Sequence, residues 1–337
     1  MPPTPWGKVL SATPVVMAVV ATLLAGLASS EMTRAQYVRS LAAQQQSKAG
    51  DQWSFFQAKR LRGALQRNTV DLMQTMGAVR PLAPGVLKTG VGGVAGLAKQ
   101  AGASAGQQSE VEKLQAEMLP LLDSAAGQQA LGYLQSGEVP RLAASPAVDA
   151  RLKAALDGLE KLASEAEMVP LLAAYSEKEL EQAVHGARDQ SQAFDALTQP
   201  VNRTIEQLNE LLGRLMARMP SPPPNAPELS GPGSIWSLHR DFTAARLGYA
   251  ASRYEVEARL NQGIANLYEL QVRKSNIAAQ RHHMRSQRFF FGMLAAQLGV
   301  IVSTLAMVAR RHNLLWSVAA AAGLLAVAFA VYVYLYV

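Results

Sequence analysis

The histidines are the side chains best suited to bind a metal or carry a proton, because the chain has no cysteine. That absence removes disulfides, thiolate ligands and Cys nucleophiles, and suits oxidising and reducing compartments alike. His185, His239, His282, His283 and His312 are too scattered for an HExxH site, and the adjacent His282 and His283 would point about 100° apart on a helix. They are expected to be solvated or interfacial. "KTG" at Lys88–Gly90 lacks the SxxK and SDN partners of a penicillin-binding active site. "GVGGVA" at Gly90–Ala95 fits a GxGxxA dinucleotide pattern, but no β-branched strand precedes it. Glu255, Glu257 and Glu269 have the context of an ordinary helix surface, with nothing to pair two of them as acid and base. No catalytic, cofactor-binding or metal-ligating residue is assigned, no cofactor is implied, and an enzyme is not expected.

Cationic and aromatic residues carry more information. "GDQWSFFQAKRLRGALQRN", residues 50–68, follows an apolar stretch and its helix-following segment. Trp53, Phe55 and Phe56 are read as a docking cluster for a partner helix, with Lys59, Arg60, Arg62 and Arg67 facing solvent or acidic partners. A second set, Arg273, Lys274, Arg281, Arg285 and Arg288, leads into another apolar block and suits lipid phosphates. The formal net charge of +7 would also suit nucleic acid. Its excess clusters at the ends of apolar blocks, so headgroups are the expected partner and nucleic acid is not.

Those blocks must position everything else. With 49% hydrophobic but only 6% aromatic residues, the apolar content is concentrated in Ala/Val/Leu runs. Residues 9–28, 289–309 and 314–337 each reach about the 20 residues that a helix needs to cross a bilayer. The first has a rival reading as a cleaved signal peptide, with Lys8 as its charged end and Gly26 and Ala28 as small residues before a cleavage site. Small residues recur at every fourth position: Ala18, Thr22 and Gly26; Gly292 and Ala296; Ala322, Ala326 and Ala330. Such rows let helix backbones approach, and Gln297, Ser303 and Thr304 are expected to bond across helices. Gly292, Ala296, Gln297, Ala322, Ala326 and Ala330 are thus the span-packing candidates.

Between the spans the pattern is helical with polar breaks. Residues 29–79 read as a juxtamembrane helix whose apolar positions include Val38, Leu41, Phe56, Leu61, Leu65, Leu72, Met73 and Met76, interrupted at Gly50 with Asp51 as a new N-cap. Residues 80–107 are rich in glycine and proline and read as a loop. Three or four helices are expected over 108–219, the clearest carrying Val201, Ile205, Leu208, Leu212, Leu215 and Met219 at coiled-coil spacing. "EMLPLL" at 117–122 recurs as "EMVPLL" at 167–172, each after a Glu-Lys-Leu, as a duplicated unit or as chance. Residues 220–233 form a Pro-rich linker. Residues 234–288 predict a long helix running into the second span, with Val256, Leu260, Leu267, Leu270, Ile277 and Met284 along one seam.

The "DQWSFFQAKRLRGAL" stretch after a first span, with "RSQRFFFGMLAAQLGVIVSTLAMVARRHNLLWSVAAAAGLLAVAFAVYVY" at the C-terminus, resembles a family of bacterial membrane proteins known as domain-of-unknown-function family 4337. Both ends carry the resemblance, and the middle, about 77–233, does not. It implies a three-span protein with a retained first span, and no activity, cofactor or site residue to transfer. The expectation is an all-α membrane protein with one N-terminal span, a C-terminal hairpin and a helical, coiled-coil-like extramembrane domain. Its role is expected to be a non-enzymatic scaffold or assembly protein, or else an accessory subunit of a transport or envelope complex. Expected partners are the lipid bilayer and a homo-oligomer or another membrane protein. The expected location is the bacterial inner membrane, with the central domain on the cytoplasmic side.

Overall fold

A computed structural model describes residues 5–77, 79–142, 149–219, 234–308 and 312–336. The Pro-rich linker and the Arg310–Arg311 pair lie outside the described residues. Every regular element described is an α-helix: α1 (Pro5–Met76), α2 (Pro84–Gln100), α3 (Ala105–Asp123), α4 (Ala125–Ser136), α5 (Ala150–Glu160), α6 (Glu165–Ala173), α7 (Glu177–Arg218), α8 (Ile235–Val308) and α9 (His312–Tyr336). Three of them, α1, α8 and α9, contain stretches long and apolar enough to cross a membrane, and the chain is therefore an all-α membrane protein.

The expected break at Gly50 is absent, and α1 is one helix of 72 residues. A lone glycine costs a helix only about 1 kcal/mol against alanine. Long helices on both sides absorb that cost. The continuation of the juxtamembrane helix into the second span is present in α8, which runs unbroken for 74 residues.

The chain forms two compact units, to both of which α1 and α8 contribute. The first comprises Met1–Lys48, Ala154–Glu177 and Tyr268–Val337. Its apolar cluster joins Met17, Ala21, Leu24 and Ala28 of α1 to Phe289 and Ala296 of α8 and to Ala326 and Val333 of α9. A Cβ at Gly299 or Gly323 would overlap the Met17 side chain, so these glycines make room for its thioether. A Cβ at Gly292 would stand 3.4 Å from Leu24 Cδ1, an ordinary contact. Ala322 and Ala330 are half-buried beside this cluster.

Two expectations about the spans are corrected here. The row Ala18, Thr22 and Gly26 is exposed, because the buried face of α1 follows a seven-residue step through Ala21, Ala28, Ala35 and Ala42. Gln297 is exposed too, while the Ser303 and Thr304 hydroxyls donate to Val300 and Ile301 within their own helix at 2.9 and 2.8 Å. A hydroxyl one turn from a helical carbonyl finds its acceptor locally.

The second unit comprises Ala49–Lys153 and Lys178–Leu267. Its core draws on Leu87, Val91, Val94 and Ala98 of α2, Val111, Met118 and Leu122 of α3, Leu131 and Leu134 of α4, the α7 seam, and Ile235, Leu238, Phe242 and Tyr249 of α8. Val201, Ile205, Leu208, Leu212 and Leu215 of α7 are buried, as is Met219 just past its end.

The reading of 80–107 as a loop is overturned by α2. Its four core residues step by four, three and four and are fully buried, which supplies a packing gain that glycine-rich sequence lacks on its own. Pro84 opens the helix, where its missing N–H is harmless. A Schellman closure ends it: Gly102 adopts φ +77°, Ala103 N–H donates to the Ala98 carbonyl at 3.0 Å, and Gly102 N–H donates to that of Lys99. Among the described residues, 108–219 holds parts of five helices rather than three or four.

The two EMxPLL segments share an internal proline and buried Met and Leu positions, Met118 and Leu122 in α3, Met168 and Leu172 in α6. Upstream they differ. Leu114 is inside α3, whereas Leu162 lies in the connection before α6 with φ 55° and is exposed. The likeness is confined to the hexapeptide.

Candidate functional site

In the first unit, polar side chains bind α1 to α8 along an antiparallel register. As α1 advances from Met17 to Gln45, its partners on α8 retreat from Gly299 to Ser275. Between these lie Ser286 Oγ, donating to the Ala28 carbonyl at 2.7 Å, and His282 Nδ1, 2.6 Å from Glu31 Oε2. Glu31 is only 9% exposed. Ser275 Oγ donates to Gln45 at 3.0 Å, and Trp316 Nε1 of α9 donates to Thr13 at 3.1 Å. His282 is thus interfacial, as expected, but the buried carboxylate that engages it was not anticipated.

The headgroup candidates divide into two groups. Arg273 reaches the Ala163 carbonyl at 3.5 Å and Lys274 reaches that of Tyr175, so both bind backbone at the connections flanking α6. Arg281 is exposed, and Arg285 and Arg288 are half-buried. A cavity of about 240 Å³ lies between α6 and α8, lined by Val169, Leu172, Ile277 and Ala278 on its apolar side and by Lys274, Arg281 and Arg285 on its basic side.

The second unit places a charged cluster on α1, α7 and α8. Lys59 Nζ pairs with Glu257, which also receives Arg253 at 3.3 Å. Glu257 is only 7% exposed, so the expectation of an ordinary surface carboxylate fails. Two cations offset the cost of burying its charge. Arg67 meets Glu255 at 3.0 Å, and together with Arg259 it holds that carboxyl below its ordinary pKa. Loss of solvent, then the Glu257 charge, raises the pKa of Asp195, against opposition from Lys59 and Arg253. Gln52, Phe55, Arg188, Gln192 and Asn261 line an open cleft of about 410 Å³ beside these charges. Elsewhere in the unit Arg80 N–H donates to Asp241 at 3.1 Å, and Tyr249 Oη lies 3.2 Å from Asn202 Oδ1. Burial pushes the Tyr249 phenol up to about 12, which keeps it a neutral donor.

Of the expected docking aromatics Trp53, Phe55 and Phe56, Phe55 lines the cleft shared with α7 and α8. Trp53 and Phe56 are half-buried and pair edge-on with each other at 5.4 Å, and Phe55 is 54% exposed. The close approach is at Gly63, whose missing Cβ would stand 3.4 Å from the Ala251 carbonyl and Tyr254 Cβ. Large rings would hold these backbones apart. The α8 seam holds at Leu267 and Leu270, which are buried, and departs nearer the span: Met284 is 39% exposed, while Ser275, Ala279 and Ser286 are buried.

The polar seam was missed because hydrophobic periodicity passes over it. Its signal is a seven-residue step of small residues, Ala28, Ala35, Ala42 and Ala49, three residues ahead of Glu31, Val38, Gln45 and Gln52. Chemically the arrangement is a set of interhelical charge pairs and backbone bonds. Among the described residues no three or more His, Asp or Glu side chains are grouped to hold a metal ion. His185 is exposed, and His239 is half-buried with a pKa lowered by burial and by Arg246.

Residues 6–119 match the family model described as Domain of unknown function (DUF4337). The DUF4337 match takes in α1, α2 and most of α3, and so includes residues 77–119, which the resemblance at the two ends did not reach. It contains Glu31 and Lys59 but not their partners His282 and Glu257, and it does not extend to the stretch from Tyr254 onward. No curated protein and no solved structure matches the chain.

Proposed function

We propose that this chain is a non-enzymatic, membrane-anchored scaffold or assembly protein of the bacterial inner membrane. The observation that carries the reading is an uncovered apolar row on α1 outside its span: Leu61, Leu65, Leu72 and Met76 are each at least 60% exposed. These residues, among the apolar positions of the juxtamembrane helix, are exposed and suit association with another helix. The charged side chains of the neighbouring seam are engaged with one another, as a structural role requires. Replacing Leu65 and Leu72 with Lys should abolish self-association of the protein extracted in mild detergent. An unchanged oligomeric mass would overturn the reading.

A second reading, an accessory subunit of a transport or envelope complex, is favoured by the exposed Ala18, Thr22 and Gly26 row, which a foreign membrane helix could approach closely. A stoichiometric foreign subunit after mild extraction supports it, and a lone homo-oligomer supports the scaffold. The central domain is assigned to the cytoplasm. Arg34, Arg39, Lys48, Arg273, Lys274, Arg281, Arg285 and Arg288 flank the spans on its side, against Lys8, Arg310 and Arg311 on the other. An impermeant maleimide applied to cells with a permeabilised outer membrane should label a cysteine placed at Asn313 and spare one at Ser104. The reverse pattern would invert the topology.

A further inference from the structure

Beyond its span, α1 has two faces with opposite surroundings. The seven-residue step Ala49, Phe56, Gly63 and Val70 is covered, with Ala49 and Gly63 buried and Phe56 and Val70 half-buried. On the other side of the helix, Ala58, Leu61, Leu65, Asn68, Leu72 and Thr75 step by three, four, three, four and three, and all six are exposed. That is the spacing of a coiled-coil seam. We propose that this seam pairs with the same seam of a second copy of the chain, as a parallel, in-register two-stranded coiled coil whose register is set by Asn68. The inference rests on the scaffold reading and adds to it the partner helix, its orientation and its register.

Orientation follows from the span. Helix α1 runs unbroken from its apolar stretch through Met76, so two copies inserted the same way in one bilayer present their seams in parallel. The seam has definite bounds. Before Ala58 the step reaches Ser54 and then Asp51, which would set like charges together in a second copy, and the helix ends at Met76. Within these bounds the flanking pairs of a parallel dimer are Gln57 with Arg62, Ala64 with Thr69 and Asp71 with Met76, so no like charges are opposed. The Thr75 hydroxyl donates to the Leu72 carbonyl at 2.9 Å, which leaves its methyl group for the seam. The Asn68 amide carries both donors and an acceptor, so two copies satisfy each other when these residues lie level. A lone asparagine in an apolar seam fixes register and strand number at a cost in stability. Under three heptads is short for two free chains, and confinement in a common bilayer supplies the effective concentration that the seam lacks.

The chain has no cysteine, so single introduced cysteines report the contact directly. Full-length Leu61→Cys and Thr75→Cys, both at exposed positions, should each give a disulfide-linked homodimer when oxidised in membranes with copper phenanthroline. Gln74→Cys, exposed but off the seam, should give none. Equal yields at Thr75 and Gln74, or no dimer at either seam position, overturn the proposal. Mixed disulfides between co-expressed tagged Leu61→Cys and untagged Thr75→Cys would show antiparallel or slipped strands and also overturn it. Asn68→Leu should keep the association and shift the assembly above a dimer; a strict dimer would remove Asn68 from its role. Protection of Thr75→Cys from maleimide without a homodimer would assign the face to a foreign partner and overturn the pairing of copies. An oligomer in mild detergent that lacks these same-residue disulfides leaves the scaffold reading standing and overturns the parallel seam, whereas a monomer in both detergent and membranes overturns both.

Discussion

Glu257 illustrates how a carboxylate on a long helix becomes structural. It accepts Lys59 and Arg253 in a site with little solvent, so Glu257→Gln would leave two cations facing each other with weakened acceptors. The expected loss is about 1.5–3 kcal/mol, the range for hydrogen bonds to charged groups, read as a lowered midpoint of thermal unfolding in detergent. Lys59→Met should cost less, since Arg253 remains to compensate the charge. His239 adds a pH dependence of definite sign. Burial and Arg246 hold its pKa below the ordinary 6.5. Its folded state favours the neutral ring, so the stability it contributes is present above pH 6.5 and is lost as pH falls through the folded pKa. The thermal midpoint of the wild type should therefore drop on acidification below about pH 6.5, and His239→Gln should reduce that drop. An identical acid limb in both proteins would exclude His239 as its source.

At the scale of elements, α2 and α4 assign opposite roles to glycine. A Cβ at Gly93 or Gly96 would meet nothing within 4 Å, so Gly93→Ala and Gly96→Ala should each stabilise by about 0.5–1 kcal/mol through helix propensity. A Cβ at Gly127 would overlap the Leu121 carbonyl at the tight α3–α4 junction, so Gly127→Ala should lower the thermal midpoint. The three spans, the α7 seam and the unbroken entry of α8 into its span were legible, because each is written in long apolar runs or a sustained three-four step. The α2 helix was not, since its glycines outweigh four well-spaced core residues until the core that receives them is known. The close approach at Gly63 was hidden for a related reason. Burial along α1 is decided by which side chains let two backbones approach, and Ala49 and Gly63 satisfy that where Trp53 cannot. The charge pairs join residues nearly two hundred or more positions apart, and one chain without a register for α1 against α8 cannot pair them.

For the whole molecule, the three spans form one apolar cluster in which Ala326 is 1% exposed among side chains of α1 and α8. Ala326→Leu should overpack that cluster, costing about 1–3 kcal/mol, with increased protease sensitivity of the reconstituted protein as the readout. Ala322→Leu, at a half-buried position, should cost less. The seven-residue step of alanines along α1 has a further consequence for how such a chain can change its length. One inserted residue turns everything after it by about 100°, which would swing Ala35 and Ala42 out of the interface and bring bulky neighbours in. Insertions and deletions within these helices should therefore survive mainly in sevens, each accompanied by a matching gain or loss in the antiparallel partner. Homologues of different size ought to differ in α1 and α8 by whole heptads, while the connections between the shorter helices vary freely.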